Sequence, residues 1–149
     1  MPSAYGVPQD GSGGELLPWS WAVEQLTAAR NYWICTTHAD GRPHAAPVWG
    51  VWHDDAVWFG TSPESAKGRN IRRDPRVVVH LESGDDTVIL EGEVEISRDP
   101  DVLTPVFDAY EQKYAHRPDA PAFFFVRPRI AQTWTEQDFP RNATRWVFD

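Results

Sequence analysis

Thr87-Val88-Ile89-Leu90-Glu91-Gly92-Glu93-Val94-Glu95-Ile96-Ser97 alternates with a period of two. Val88, Leu90, Gly92, Val94 and Ile96 fall on one side, and Ile89, Glu91, Glu93 and Glu95 on the other. Successive side chains of a strand point to opposite faces, so the segment has one apolar face and one largely acidic face. An antiparallel sheet with one packed side and one wet side is built from such segments.

The flanking sequence carries the same signal. On the N-terminal side Ser83 to Asp86 reads as a turn, with Asp85-Asp86 serving it rather than forming a carboxylate dyad, and Val77 to Glu82 as a short buried strand. Earlier, Pro43 to His53 and Ala56 to Thr61 flank the turn pair Asp54-Asp55. Asp40-Gly41 joins Pro43 back to the β-rich run Tyr32 to Thr37. On the C-terminal side a helix is expected over Asp101 to Tyr114, with Leu103, Phe107, Tyr110 and Tyr114 as its apolar stripe, then a last strand from Phe123 to Trp134. A first helix is expected from about Ser20 to Arg30, with Ser20 as N-cap and Trp19, Val23, Leu26 and Arg30 at helical spacing. Met1 to Gly14 is rich in Gly, Ser and Pro, which sets the expectation of a mobile tail over 1–18 and a single domain over 19–149. Six strands joined mostly by short turns make the fold class mainly β, a closed or half-closed antiparallel barrel with few helices.

Composition narrows the function classes. The chain has 149 residues and eight Trp, an aromatic load that belongs in a core, at a subunit interface or against a planar ligand. Its one cysteine, Cys35, has no internal partner, which favours a reducing compartment and reads as a small buried hydrophobe. No apolar run is long enough to span a bilayer, and residues 1–18 lack the basic and apolar regions of a signal peptide, so a cytoplasmic location is expected. The formal charge of −8 opposes nucleic-acid binding, including an oligonucleotide-binding barrel.

Within that acidic chain the cations cluster. Lys67, Arg69, Arg72, Arg73 and Arg76 fall inside one short stretch out of 14 Lys and Arg in all. Thr61 to Arg76 reads as a strand end entering a short helix, with Ser62 as N-cap and Pro63 at the first helical position. A helix start offers free N–H groups and a partial positive charge to a phosphate. Lys67 adds a point charge, Arg69 a planar fork, and Asn70 a further donor or a turn closure. A solvated helix face offsetting the acidic strands is the competing reading of the same residues.

Asp40-Gly41-Arg42-Pro43-His44-Ala45-Ala46-Pro47-Val48-Trp49, followed by Ala66-Lys67-Gly68-Arg69-Asn70-Ile71-Arg72-Arg73-Asp74-Pro75-Arg76, resembles the pyridoxamine 5'-phosphate oxidase-like split-barrel family. The branch it resembles is that of the flavin/deazaflavin oxidoreductases, and the likeness runs from about Ser20 to Trp134. The resemblance implies a six-stranded split β-barrel that pairs as a homodimer, with two cofactor sites at the subunit interface. It implies coenzyme F-420 or FMN as cofactor and a small-molecule substrate. It would put Lys67, Arg69 and Asn70 on the cofactor phosphate, and Gly60, Thr61 and Ser62 along the ribityl chain and ring edge. The strand His44, Ala45, Ala46, Pro47, Val48 would line the rings with its backbone, and Trp134 would approach from the other subunit. The Lys-x-Arg-Asn-x-Arg-Arg run is similar to branches that hold the deazaflavin, and FMN would use the same phosphate site. A vitamin B6 oxidase is not expected, because such enzymes carry a C-terminal Arg-x-His element and this sequence ends Arg145-Trp146-Val147-Phe148-Asp149.

Hydride chemistry on such a cofactor requires no side-chain acid or nucleophile, so no catalytic residue is assigned. The alternative is a non-catalytic carrier of FMN, haem or another planar ligand on the same barrel. His38, His44, His53, His80 and His116 match no zinc spacing, and no metal site is expected. His44 as a proton donor is the weaker alternative to its place on the ring-lining strand. Trp49 and Trp52 fall on opposite strand faces, so at least one Trp of the group Trp49, Trp52 and Trp58 belongs to the core.

Overall fold

The computed structural model describes residues 3–5, by backbone alone, and residues 16–149. Chain order is β1 (Ser3–Tyr5), α1 (Trp19–Ala28), β2 (Tyr32–Thr37), β3 (Pro43–Val48), β4 (Val51–His53) and β5 (Ala56–Phe59). Then come α2 (Ala66–Arg73), β6 (Arg76–His80), β7 (Asp86–Ser97), α3 (Pro100–Tyr114), β8 (Phe123–Thr135), a 3-10 turn over Glu136–Asp138, and β9 (Thr144–Val147). The tail expected over 1–18 falls mostly outside the described residues. Within it, β1 pairs antiparallel with β9.

All pairings are antiparallel, and β7 and β8 form the spine through twelve paired positions from Asp86↔Thr135 to Ser97↔Phe123. From there the sheet runs β7-β6-β2-β3 on one side and β8-β5-β4 on the other. Because β3 leads directly into β4, the ring β2, β3/β4, β5, β8, β7, β6 closes as a barrel split between β3 and β4. The expected six strands are this ring. The strand expected from Pro43 to His53 is in fact two, broken at Trp49-Gly50. β9 and β1, which the strand pattern did not anticipate, extend the sheet beyond β8.

Gly50 explains the split. A Cβ there would lie 2.6 Å from the Trp58 carbonyl oxygen and 3.2 Å from the Tyr32 ring, so only glycine lets the chain cross so close to β5. Its backbone groups leave the ladder and are met by α3 instead. Gly50 N–H donates to the Tyr114 hydroxyl at 2.9 Å, and the Lys113 ammonium donates to the Gly50 carbonyl at 2.8 Å. Lys113 also donates to the Tyr32 hydroxyl at 3.1 Å, which itself donates to the Leu26 carbonyl at 2.5 Å. The end of α3 thereby ties α1, β2 and the split together.

The long strand β8 carries the other irregularity. Glu91 faces Ile130 and Gly92 faces Pro128, so Arg129 is an extra residue on β8. The bulge shifts the phase: Val126 and Pro128 are buried before it, Ala131 and Thr133 after it. Phe148 N–H bonds to the bulged Arg129 carbonyl at 2.9 Å, anchoring the segment after β9.

Two apolar clusters result. The barrel interior holds Ile34, Val57, Phe59, Val79, Leu90 and Val126, closed at one end by Ala22 and Leu26 of α1. The second packs α3, through Leu103, Val106, Tyr110 and Tyr114, onto Val51, Ala56 and Trp58. The stripe of α3 is as expected except that Val106 is buried and Phe107 packs at the edge. Trp58 is core, Trp52 is half-buried against the barrel interior, and Trp49 is 39% exposed and stacked on Tyr114. Ser20 is not the cap of α1. The helix starts one residue earlier, after Pro18, with no side-chain cap. Cys35 is half-buried on the outer face of β2 rather than buried.

The Lys113 cluster makes stability depend on pH. Burial, aided by the charge of Arg30, lowers the Lys113 ammonium to about 8. A lysine whose folded value lies below its unfolded one favours folding only when deprotonated. Its cost is therefore complete below pH about 8 and is relieved as pH climbs toward the ordinary lysine range near 10.4. Burial pushes the Tyr32 hydroxyl upward, so ionisation of the unfolded tyrosine erodes stability above about pH 10. Urea unfolding should show stability rising from pH 8 to about 10 and then falling, with most of the rise absent in Lys113→Met. A wild-type profile that is flat over that window would contradict the assignment.

Candidate functional site

The segment between β5 and β6 folds as two consecutive turns. Ser62-Pro63-Glu64-Ser65 closes first: Ser65 N–H donates to the Ser62 carbonyl at 3.2 Å, and Glu64 N–H to Ser62 Oγ at 3.2 Å. Only then does α2 begin, capped by Ser65, whose Oγ accepts from Gly68 N–H at 3.0 Å and donates to the Ser62 carbonyl at 2.8 Å. Thr61 Oγ1 lies 3.3 Å from the same Ser65 Oγ. The expected cap at Ser62 with Pro63 in the first helical turn is thus corrected: both belong to the preceding turn. The sequence offered Ser62 as the cap, but the turn chemistry of Ser62-Pro63 takes that residue into the preceding turn and leaves the cap to Ser65.

Gly68 holds the two turns together. A Cβ on it would lie 2.1 Å from the Ser62 carbonyl oxygen and 2.9 Å from Pro63 Cα. The loop Thr61 to Ser65 therefore rests directly on the α2 backbone.

The five clustered cations have separate fates. Arg76 pairs with Asp74 at 2.8 Å, which holds that carboxyl at about 2, well below the ordinary carboxylate value. Arg73 donates to the Thr37 carbonyl and, at 3.0 Å, to Asn70 Oδ1. Arg69 donates to the Glu64 carbonyl, bracing the loop. Lys67 and Arg72 have no partner among the described residues. Five positions apart at about 3.6 residues per turn, they lie on different sides of the helix. Burial lowers the pKa of Lys67, so its ammonium is partly desolvated without a counter-charge. That arrangement costs free energy unless an anion arrives.

Asn70 is 3% exposed and its amide is engaged within the protein. Its Nδ2 donates to Thr36 Oγ1 at 3.0 Å and faces His38 Nδ1 at 3.3 Å, while Oδ1 accepts from Arg73. It locks α2 to β2. His38 in turn meets the His44 ring edge-on at 5.1 Å, and His44 Nδ1 is buried without a hydrogen-bond partner among the described residues. Thr36 and Ser65 were not anticipated in the sequence, and His38 was weighed only as a possible metal ligand; Thr36 and His38 meet Asn70 because β2 lies under α2.

The remaining predicted residues divide by face. On β3, His44, Ala46 and Val48 sit opposite Thr36, Ile34 and Tyr32, whereas Ala45 and Pro47 lie on the exposed outer face opposite Cys35 and Trp33. β3 is the end of its sheet path, so its second backbone edge carries no strand partner among the described residues. Gly60 and Thr61 lead from β5 into the loop, where a Gly60 Cβ would meet the Phe123 ring at 2.6 Å. Trp134 is not gathered with this group. Its ring meets that of Phe139 at a tilt of 52°, with centroids 5.4 Å apart, and it lines a groove with His80 and Ile89. Among the described residues no group of three or more His, Cys, Asp or Glu could hold a metal ion, and no helix is long and apolar enough to cross a membrane.

The arrangement is a short helix start, one half-buried unpaired ammonium, a braced guanidinium and an unpaired buried imidazole nitrogen beside a free strand edge. These features suit an anionic group attached to a body that lies along β3.

The profile of the family described as pyridoxamine 5'-phosphate oxidase matches residues 22–137. No curated protein matches the chain. Among solved structures, a conserved hypothetical protein from Mycobacterium tuberculosis superposes with a TM-score of 0.69 at 23% identity, over 83% of this chain and 88% of that one. An F-420 reductase superposes with a TM-score of 0.57 at 23% identity, over 72% and 93%. General Stress Protein 26 from Bacillus anthracis gives 0.61 at 21%, over 75% and 89%. At these identities the likeness to each is one of fold.

Proposed function

The chain belongs to the pyridoxamine 5'-phosphate oxidase family, and from that premise we propose that it is an oxidoreductase passing hydride between bound coenzyme F-420 or FMN and a small conjugated organic substrate. The observation that carries the reading is Lys67: a partly desolvated ammonium without a partner among the described residues, in the first turn of α2. A cofactor phosphate supplies the missing charge. The N–H groups at the start of α2 and the remaining donors of Arg69 share it, with Asn70 fixing the helix in place. Gly60, Thr61 and Ser62 flank the chain leading from the phosphate, and the free edge of β3 from His44 to Val48 offers backbone groups to the rings.

When bound, such a cofactor supplies the hydride chemistry at its central ring. The protein's part is to orient the rings, hold the phosphate and keep water out, so no side chain is given a catalytic role. The structural likeness to an F-420 reductase supports the deazaflavin, and FMN carries the same phosphate.

The reading includes a homodimer. The outer face of β2, β3 and β6 presents Trp33, Pro47 and Val78, and Cys35, Val78 and Arg129 line an open cleft of about 710 Å³ beside it. A second copy packed there would cover this face, and Trp134 would reach the cofactor only across such an interface. Native mass spectrometry with FMN and with coenzyme F-420 should show two protomers carrying two cofactors. A cofactor-free monomer in both titrations would overturn the proposal.

A further inference from the structure

Arg72 and Arg98 are the two arginines without a hydrogen bond, ion pair or aromatic partner among the described residues. The others are engaged: Arg42 with Asp40, Arg117 with Asp108, Arg127 with Asp54, Arg129 with Glu93, and Arg30 over the Trp49 ring. In a chain with 22 acidic residues, two guanidinium groups left unpaired at one place call for a reason. Both line the same cleft of about 670 Å³, between α2, the end of β7 and the segment before β8. That volume falls in the range of small-molecule sites, about 300–1,000 Å³.

The walls of the cleft are apolar. Ile71, Val94, Ile96 and Phe124 line it, and Ile96 is 45% exposed although Val88, Leu90 and Val94 of its own row are buried. The apolar face of β7 thus runs past the barrel core and ends in this cleft. One carboxylate, Glu95, stands on the rim. Two cations against one anion leave a single net positive charge, which suits a monoanion better than a phosphate dianion.

We propose that the cleft is a second binding site, on the side of α2 away from Lys67, for a small organic monocarboxylate with an apolar body. The guanidinium groups of Arg72 and Arg98 take the carboxylate, and Ile96, Val94 and Phe124 cover the apolar part. Thr61 and Pro63 form part of the wall, so the occupant lies against the back of the loop that serves the cofactor site.

Decanoate and decanol, titrated calorimetrically into the full chain with and without FMN, test this. Decanoate should bind once per chain, and decanol, which lacks the charge, at least tenfold more weakly. Arg72→Ala with Arg98→Ala should weaken decanoate by about ten- to 150-fold or more, since hydrogen bonds to charged groups are involved, and leave decanol unchanged. Ile96→Glu should weaken both. FMN affinity of the double arginine variant should equal that of wild type, which separates this site from the one at Lys67. Absence of saturable decanoate binding, or equal decanoate affinity in the double variant, would overturn the proposal. So would a change in particle mass in that variant, which would make the cleft a subunit interface.

Discussion

Gly68→Ala is expected to lower stability and to weaken cofactor binding together, although alanine is the better helix former. In an open helix the exchange would stabilise by up to about 1 kcal/mol. Here the added Cβ would lie 2.1 Å from the Ser62 carbonyl oxygen and 2.9 Å from Pro63 Cα, both backbone atoms that no rotamer change can move. Overpacking of this kind costs about 1–3 kcal/mol, which outweighs the propensity gain. Relief requires the loop Thr61 to Ser65 to lift off α2, breaking the Ser65 cap and moving the groups proposed to flank the cofactor. Urea unfolding should show a net loss of about 1–2 kcal/mol, and FMN affinity should fall at least tenfold. A stabilised variant with unchanged affinity would show that the loop does not rest on Gly68 in solution.

The largest loss of stability is expected at Trp58. Its side chain is 1% exposed, stacks on Phe125 with centroids 4.4 Å apart, and donates from Nε1 to the His53 carbonyl at 2.9 Å. It lies in the cluster that fastens α3 to β4 and β5. Truncation to alanine opens a cavity between barrel and helix and should cost about 3–5 kcal/mol. That is a large part of the 5–15 kcal/mol that usually separates folded from unfolded chains. Where Trp58→Ala does not accumulate, Trp58→Phe keeps the stack but loses the hydrogen bond, and should cost about 1–2 kcal/mol in urea unfolding. A loss below about 0.5 kcal/mol in Trp58→Phe, or below about 1 kcal/mol in Trp58→Ala, would place the core elsewhere.

Much of this fold was legible because its strands alternate and its turns carry recognisable residues. The period-two pattern of Thr87 to Ser97 located the spine, and Asp54-Asp55 located the hairpin, where both residues take positive φ values. Local pattern misled where tertiary contact decides. Pro43 to His53 reads as one strand because nothing in the sequence shows that Gly50 must pass within 2.6 Å of the Trp58 carbonyl. Thr144 to Val147 is too short to stand out and is a strand because β8 continues past its bulge to meet it. Ile96 has the right parity for the core but lies beyond the residues that fill it.

The candidate site shows the same division. The cation cluster was visible, but its partition was not. Arg69, Arg73 and Arg76 find partners through the loop, β2 and Asp74, and these pairings depend on how α2 lies on the sheet. Asn70 reads in sequence as a phosphate donor or a turn closure, and its contacts with Thr36, His38 and Arg73, which fasten the helix to β2, depend on the tertiary fold.

Binding of FMN and of riboflavin, compared in wild type, Lys67→Ala and the Lys67→Ala, Arg69→Ala double variant, tests the proposed phosphate site most directly. The two ligands differ only in the phosphate. Hydrogen bonds to charged groups contribute about 1.5–3 kcal/mol each, so Lys67→Ala should weaken FMN by about 10- to 150-fold, and the double variant should weaken it further. Riboflavin should bind wild type poorly and be nearly indifferent to both changes. FMN affinity that stayed at the wild-type value in the double variant would contradict the account and return the basic segment to a solvated helix face.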